Sequence, residues 1–303
     1  MSKPRVTLAT CTDQPALDRG EEGLPDALAE RGMEPRLAAW DDPDVDWSDA
    51  GIVVLRSVHN YASRRQDFLD WTRSIPKLLN SADVVEWNTD KHYLQELGAR
   101  GMPTIDTVWL EPEAKLTKHQ VHTRFPSLGD FVVKPAVSSG ARDTGRYTAR
   151  NANSRMEAIQ HAYGLLQEGR SVMVQKYVTS VDERGETALI YLNGILSHTV
   201  EKQAMLLGPL AAPDAVADEV AVPRQATEAE LQLGEQARRA IHGYIKDRMG
   251  RDAQLLFCRI DVVEGETEPK VIEVSLTDAS LYLDSVDGAL DNFADAIASR
   301  AFW

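Results

Sequence analysis

The chain has 303 residues, 43% of them hydrophobic, and carries 33 basic against 47 acidic side chains for a formal net charge of −14. That length supports roughly two domains with buried cores, and the excess of acid excludes broad binding to nucleic acid or anionic membranes, whose phosphates would be repelled. No apolar run approaches the about 20 residues of a membrane span, and the first residues lack a secretory apolar segment. Cys11 and Cys258 are the two cysteines and lie in apolar surroundings, which reads as reduced thiols in a cytoplasmic protein.

In chain order, RVTLAT (5–10) has strand composition, LPDALAERG (24–32) reads as a helix closed by Gly32, and EPRLAAW follows as a strand. DDPDVDWSDA is a turn region, GIVVLRS (51–57) a buried strand, and RRQDFLDWTRSI (64–75) has helical spacing through Phe68, Leu69, Trp71 and Ile75. Strands alternating with helices predict a parallel α/β sheet for the first domain, residues 1–86. A second domain, 87–174, opens on a helix over TDKHYLQELGARG (89–101), with strands TIDTVWL, FVVKPA and RYTAR. Ser154 and Glu157 form a capping box that opens a helix to about Glu168, and SVMVQKYV (171–178) is a strand. The third domain, 175–303, is mostly strands: ETALIYLNG, ILSHTVEKQ, FCRIDVVEG and PKVIEVSLTD. Its amphipathic helix runs from a capping box at Thr227 and Glu230 to Gly250, and PLAAPDAVADEVAVP (209–223) reads as a mobile loop.

Lys134 ends the strand FVVKPA and is followed by Ser138, Ser139, Gly140 and Ala141, small residues that let backbone N–H groups approach an anion. The plainer alternative is a hairpin connection; neither G-x-x-x-x-G-K-[ST] nor G-x-G-x-x-G is present. Lys91, Lys134 and Lys202 would each bring a compact positive charge to a polyphosphate, or else serve as exposed surface lysines. Asp261 and Glu273 stand in apolar runs, RIDVV and VIEVSL; on adjacent antiparallel strands they would make a hard-oxygen site suited to Mg2+, the alternative being solvent-facing carboxylates. Arg259, two residues before Asp261, shares its face, while Cys258 and Ile260 point to the core. The seven histidines show no zinc spacing and no Ser-His-Asp signature; His59, His119, His122 and His198 read as surface or packing residues.

Six short motifs occur in order: NTDK (88–91), VVKP with its loop (132–141), VQKYV (174–178), GETALIY (185–191), RID (259–261) and IEVS (272–275). Together they resemble the ATP-grasp ligases, the group that includes D-alanine:D-alanine ligase, glutathione synthetase and biotin carboxylase. The resemblance spans nearly the whole chain. It implies an α/β protein in which two α+β subdomains grip ATP behind an N-terminal parallel-sheet domain. By that likeness Lys91 and Lys134 contact nucleotide phosphates, Ser138 to Ala141 form the phosphate loop, and Gln175, Lys176 and Val178 form the adenine-binding connector. Glu186 matches the ribose-binding acid, Lys202 the γ-phosphate lysine, Asp261 and Glu273 the Mg2+ ligands, and Arg259 the residue that stabilises the tetrahedral intermediate. Ser275 replaces the asparagine that many members carry beside the metal, leaving water or Asp278 as other ligands. VVLRSVHNYASRRQDFLDW (53–71) and VVEWNTDKHYLQEL (84–97) resemble the subgroup containing cycloserine synthetase, with His59-Asn60-Tyr61 where relatives usually carry Trp-Asp-Tyr.

What the resemblance implies is an ATP-dependent carboxylate–amine ligase acting through an acyl phosphate on an amino-acid-like small molecule, with ATP and Mg2+ as cofactors and a homodimer admitted. The subgroup implies intramolecular closure of O-ureido-D-serine to D-cycloserine; a bimolecular ligase joining two amino acids and a non-catalytic ATP-binding module are the rival readings. Binding loops gather at the C-terminal ends of parallel strands, so substrate contacts are expected from Arg56, Ser57 and Tyr61, with Thr12 and Asp13 nearby and Arg142 and Ser280 opposite.

Overall fold

The computed structural model describes residues 3–206, 219–250 and 254–302, arranged around three sheets. The first unit runs β1 (Arg5–Thr10), α1 (Leu24–Glu30), β2 (Glu34–Ala39), β3 (Ile52–Leu55), a 3-10 turn at His59–Ser63, α2 (Arg65–Ser74), β4 (Leu78–Leu79) and α3 (Ala82–Asn88). Its strands are parallel in the order β2-β1-β3-β4, as alternation of strand and helix predicts. One face of this sheet packs Trp40, Phe68 and Val85 from the flanking segments, and the opposite face packs Leu24 and Leu28 of α1.

α4 (Tyr93–Gly98) leads into the second sheet, built from β5 (Thr107–Leu110), β6 (Asp130–Pro135), β7 (Gly145–Thr148) and β8 (Val172–Lys176) with α5 (Lys118–His122) and α6 (Ala152–Gln167). Its antiparallel order is β5-β8-β6-β7, and α5 and α6 close one face over Phe131, Val133 and Val174. α7 (Val181–Arg184) connects to the third sheet: β9 (Glu186–Leu192), β10 (Ile195–Lys202), β11 (Ala221–Pro223), β12 (Phe257–Glu264) and β13 (Pro269–Ser275), with α8 (Glu228–Met249) and α9 (Ala289–Ala301). This sheet is antiparallel in the order β11-β10-β9-β12-β13. α9 returns to the first unit, where Phe293 and Ile297 share a core with Val6 and Leu28.

Several local expectations need correction. The helix expected from Thr89 begins at Tyr93, because the amide of Lys91 is drawn out to the carbonyl of Ala136 at 2.9 Å. α6 starts at Ala152, not after Ser154: the carboxamide of Asn151 accepts from Ser154 N at 3.0 Å, and the Ser154 hydroxyl accepts from Thr148 N at 2.9 Å. α3 was absent from the sequence reading; ADVVEWN buries Val84, Val85, Trp87 and Asn88 on helical spacing. By contrast, α8 carries both halves of the Thr227–Glu230 capping box and ends at Gly250. Of the expected loop, residues 209–218 lie outside the described residues, while Ala221–Pro223 pairs with β10. Cys11 and Cys258 are buried free thiols, and among the described residues no helix is long and apolar enough to cross a membrane.

Two asparagines fix the third sheet against the segment that carries Lys91. Asn80 donates to the carbonyls of Phe257 and Leu276 at 2.9 and 2.8 Å. Asn88 donates to the carbonyl of Val274 and accepts from Leu276 N, both at 2.8 Å, and Tyr93 Oη accepts from Val274 N at 3.0 Å. Backbone groups buried at a sheet edge need such partners, so the first residue of the NTDK motif acts on the backbone beside Glu273 and Ser275.

Candidate functional site

A cleft of about 820 Å3 opens between the second and third sheets, with the loop after β6 above it and the first unit at one end. Strand pairing sets its floor. Asp261 on β12 stands opposite Glu273 on β13, Arg259 opposite Ser275, and Lys202 at the end of β10 opposite Glu186. Gly185 makes the last pairing fit: at φ 63°, a Cβ there would run into the carbonyl of Lys202.

The charges interlock. Arg259 donates through Nε and Nη2 to the two oxygens of Asp261, each at 2.9 Å, and Lys202 Nζ lies 2.7 Å from Asp261 Oδ2 and 3.0 Å from both Glu186 and Glu219. Burial opposes the charge on Lys202, but Asp261, Glu186 and Glu219 outweigh it and hold the ammonium well above its ordinary value. Burial likewise raises Glu219, yet Lys202 and Arg259 bring its carboxyl down to about 2. For Glu273, burial is overcome by Lys91, Lys134, Arg259 and Lys202, and its carboxyl also falls to about 2. Lys91 Nζ sits 3.3 Å from Glu273 and donates to the carbonyl of Ser138 at 3.0 Å. Lys134 is different: burial lowers its ammonium to about 8, against the pull of Glu273 and with further lowering from Lys91. It is the cation of the set with the least compensation.

Above these lysines, Gly140, Ala141 and Asp143 all take positive φ, of 61°, 56° and 52°. Left-handed backbone at two non-glycine residues costs roughly 1–2 kcal/mol each, and such turns point successive N–H groups into one concavity. Arg142 lines the cleft and has no ion-pair partner among the described residues. Farther along, Ile105, Val132, Val178, Val181, Leu206 and Ile272 make an apolar slot beside the end of β8. There the Gln175 side chain turns away to Thr107 Oγ1 at 2.8 Å and Lys176 Nζ pairs with exposed Glu266 at 2.9 Å, so both can offer the slot only backbone.

At the first unit's end of the cleft the substrate expectations divide. Tyr61 and Ser280 line it, and Tyr61 Oη donates to the Ser138 carbonyl at 3.4 Å. Arg56 does not reach it. Its guanidinium is fully buried, paired with Glu21 through two nitrogens and donating to the carbonyl of Ala279 at 3.0 Å, because the position just after β3 faces inward onto Phe293 of α9. Ser57 is also fully buried, and Thr12 is bonded to Asp41 through its amide and hydroxyl, both at 2.8 Å.

His59 corrects the sequence reading more strongly. Instead of packing, it lines the cleft with Nδ1 3.0 Å from Asp278 Oδ2 and Nε2 2.8 Å from Asp18 Oδ1. Burial lowers its pKa, but hydrogen bonds and charge from Asp18 and Asp278 raise it to about 11. The rule that placed binding loops at strand C-termini pointed to the Asp18 and His59 loops; Asp278, named above as another metal ligand, is instead bonded to His59 and Ser139, and no local signal marked Glu219. His198, in contrast, is a buried packing residue bonded to the Leu281 carbonyl.

Asp261 and Glu273 are hard oxygen donors at paired positions, and the ammonium of Lys202 already stands as a cation on Asp261. Among the described residues no three His, Cys, Asp or Glu groups form a ready-made metal site. The pair therefore suits an ion that takes its remaining ligands from outside the chain.

Two antiparallel sheets closing on a lysine-rich cleft, behind a parallel-sheet unit, define an ATP-grasp protein. The structure of D-alanine–D-alanine ligase from Bacillus anthracis complexed with ATP shares this fold at a TM-score of 0.61 and 15% identity, covering 99% of this chain and 97% of that one. Residues 6–80 match the D-cycloserine synthetase DcsG N-terminal domain. The chain is 35% identical to the cycloserine biosynthesis protein DcsG of Streptomyces lavendulae, over 97% of this chain and 98% of that protein. The crystal structure of D-cycloserine synthetase DcsG matches at a TM-score of 0.85 and 30% identity, covering 98% of this chain and 99% of the other. This chain belongs to the D-cycloserine synthetase DcsG family.

Proposed function

We propose that this protein is an ATP-dependent ligase that closes O-ureido-D-serine to D-cycloserine through an acyl phosphate. The observation that carries the reading is one cleft holding Lys91, Lys134, Lys202 and Arg259 around the Asp261–Glu273 strand pair, in a chain related along its length to a cycloserine biosynthesis protein. The adenine fits the apolar slot, read by the backbone of Gln175, Lys176 and Val178, with Glu186 near the ribose. Lys91, Lys134 and the N–H groups of Ser138 to Ala141 hold the phosphates, and Arg142 meets an anion from the loop. Mg2+, when bound to Asp261 and Glu273 with Ser275 beside them, supplies charge neutralisation at the phosphoryl oxygens.

In the reaction the substrate carboxylate attacks the γ-phosphorus and ADP departs. The ureido nitrogen bonded to oxygen then attacks the acyl carbon, loses its proton and expels phosphate; water removes the carbamoyl group as carbon dioxide and ammonia. Arg259 and Lys202 bear cations that stabilise oxyanion charge as it develops, a contribution that depends on their being fixed beforehand. Arg259 is so fixed by Asp261, by the Ser280 carbonyl at 3.1 Å and by Tyr282. Holding both ends of one molecule in the cleft replaces a collision by a ring closure.

The test is product mass after incubation with ATP, Mg2+ and O-ureido-D-serine. D-cycloserine with ADP is the expected outcome; ADP with a linear dipeptide would establish bimolecular ligation instead, and no ADP with any carboxylate would leave a binding module.

A further inference from the structure

Asp278 has an unmet hydrogen-bond demand in the cleft wall. Its side chain is 4% exposed, and Oδ2 accepts from Ser139 Oγ at 2.5 Å and from His59 Nδ1 at 3.0 Å. Oδ1 is enclosed as well and lies 3.0 Å from the imidazole, yet no hydrogen bond reaches it. A buried carboxylate oxygen without a donor is costly, which points to a donor that arrives with a ligand.

The surroundings say what kind of donor. His59 meets carboxylate acceptors on both ring nitrogens, so it must carry both protons and is a cation between Asp18 and Asp278. One cation against two carboxylates leaves one negative charge in excess. The nearest strong cation behind them, Arg56, is already neutralised by Glu21. Gln14 adds only a neutral donor, at 2.8 Å to Asp18 Oδ1.

We propose that Asp278, backed by His59 and Asp18, is the subsite for the α-ammonium of the amino-acid substrate, with Oδ1 as its acceptor. The identification of the ligand as an amino acid rests on the ligase reading above. An ammonium held in an ion pair has no lone pair, so the substrate's own α-amine stays out of the chemistry while its carboxyl is activated. Ser139 belongs to the phosphate loop, so lifting that loop uncovers the carboxylate to an incoming substrate.

The test compares equilibrium binding of O-ureido-D-serine and of its des-amino counterpart, 3-(ureidooxy)propanoate, to the full chain loaded with Mg2+ and a non-hydrolysable ATP analogue. The wild-type protein should prefer the amino compound by at least about tenfold, the scale of one charge-assisted hydrogen bond. Asp278→Asn should lose that preference while still binding the ATP analogue. The wild-type comparison stands even if a variant fails to fold. Equal binding of the two compounds, or binding of neither, overturns the ammonium site. A retained amino preference without cycloserine formation in the turnover assay would instead remove the ring-closure reading and leave the subsite standing.

Discussion

At the lysine-rich end of the cleft, Lys91, Lys134, Lys202 and Arg259 stand with Glu186, Glu219, Asp261 and Glu273, four cations against four carboxylates, and Arg142 adds a further cation on the loop above. At the far end one imidazolium, His59, stands between Asp18 and Asp278, and behind it Arg56 and Glu21 form a closed pair. The buried charges of the lysine-rich end balance among themselves, while Arg142 on the loop above has no ion-pair partner among the described residues. The far end keeps a negative charge and an empty acceptor. Buried charges that compensate one another read as machinery or scaffold; those left uncompensated read as a place for a ligand.

Removing one carboxylate should break the first arrangement most severely. Asp261→Asn is expected to lower kcat by about a thousandfold, a loss of roughly 4 kcal/mol in transition-state stabilisation, with ATP affinity changed much less in a direct titration. Ordinary turnover at saturating Mg2+ would remove the metal assignment.

The scaffold pair behaves differently. Arg56→Ala leaves Glu21 buried without its partner, which costs about 3–5 kcal/mol and should appear as a lowered thermal midpoint. A raised KM at unchanged stability would show instead that Arg56 meets substrate.

Lys134→Ala, at the least compensated cation, should weaken ATP binding by roughly 10- to 100-fold, the range of a charge-assisted hydrogen bond, and leave the fold intact. The same residue sets a pH effect. Its folded pKa of about 8 lies below the ordinary 10.5, so between those values the unfolded chain binds more protons and this group's contribution to stability rises with pH. ATP binding moves the opposite way, weakening by up to about tenfold per pH unit above 8 as the ammonium is lost. Lys134→Arg should abolish that alkaline step. The smallest effect lies outside the cleft: Thr227→Ala removes one half of the α8 capping box and should cost about 1 kcal/mol in unfolding experiments.

That Arg259, Asp261 and Glu273 come together was legible in the sequence because they sit in strands, where period-two alternation assigns Arg259 and Asp261 to one face and antiparallel pairing brings Glu273 opposite. The parallel order of the first sheet followed in the same way from strands alternating with helices. The far end was largely hidden because it is assembled from loops. Asp278 lies 219 residues from His59 in sequence, and nothing local links them. Arg56 shows the ambiguity: the same strand-end position suits a substrate contact or a buried ion pair, and its partner Glu21, 35 residues earlier in a loop, decides for the pair. The asparagine of NTDK carried a similar surprise, since Asn88, though it borders the cleft, spends its carboxamide on the backbone of Val274 and Leu276, and Lys91 brings the motif's cation to the cleft.

The central claim, carboxylate activation by phosphoryl transfer, is tested most directly by labelling both carboxylate oxygens of O-ureido-D-serine with oxygen-18 and analysing the phosphate released with ATP and Mg2+. The account predicts one labelled oxygen in each phosphate, carried over when the acyl phosphate is opened by nitrogen. Phosphate free of label, formed alongside product, would contradict it.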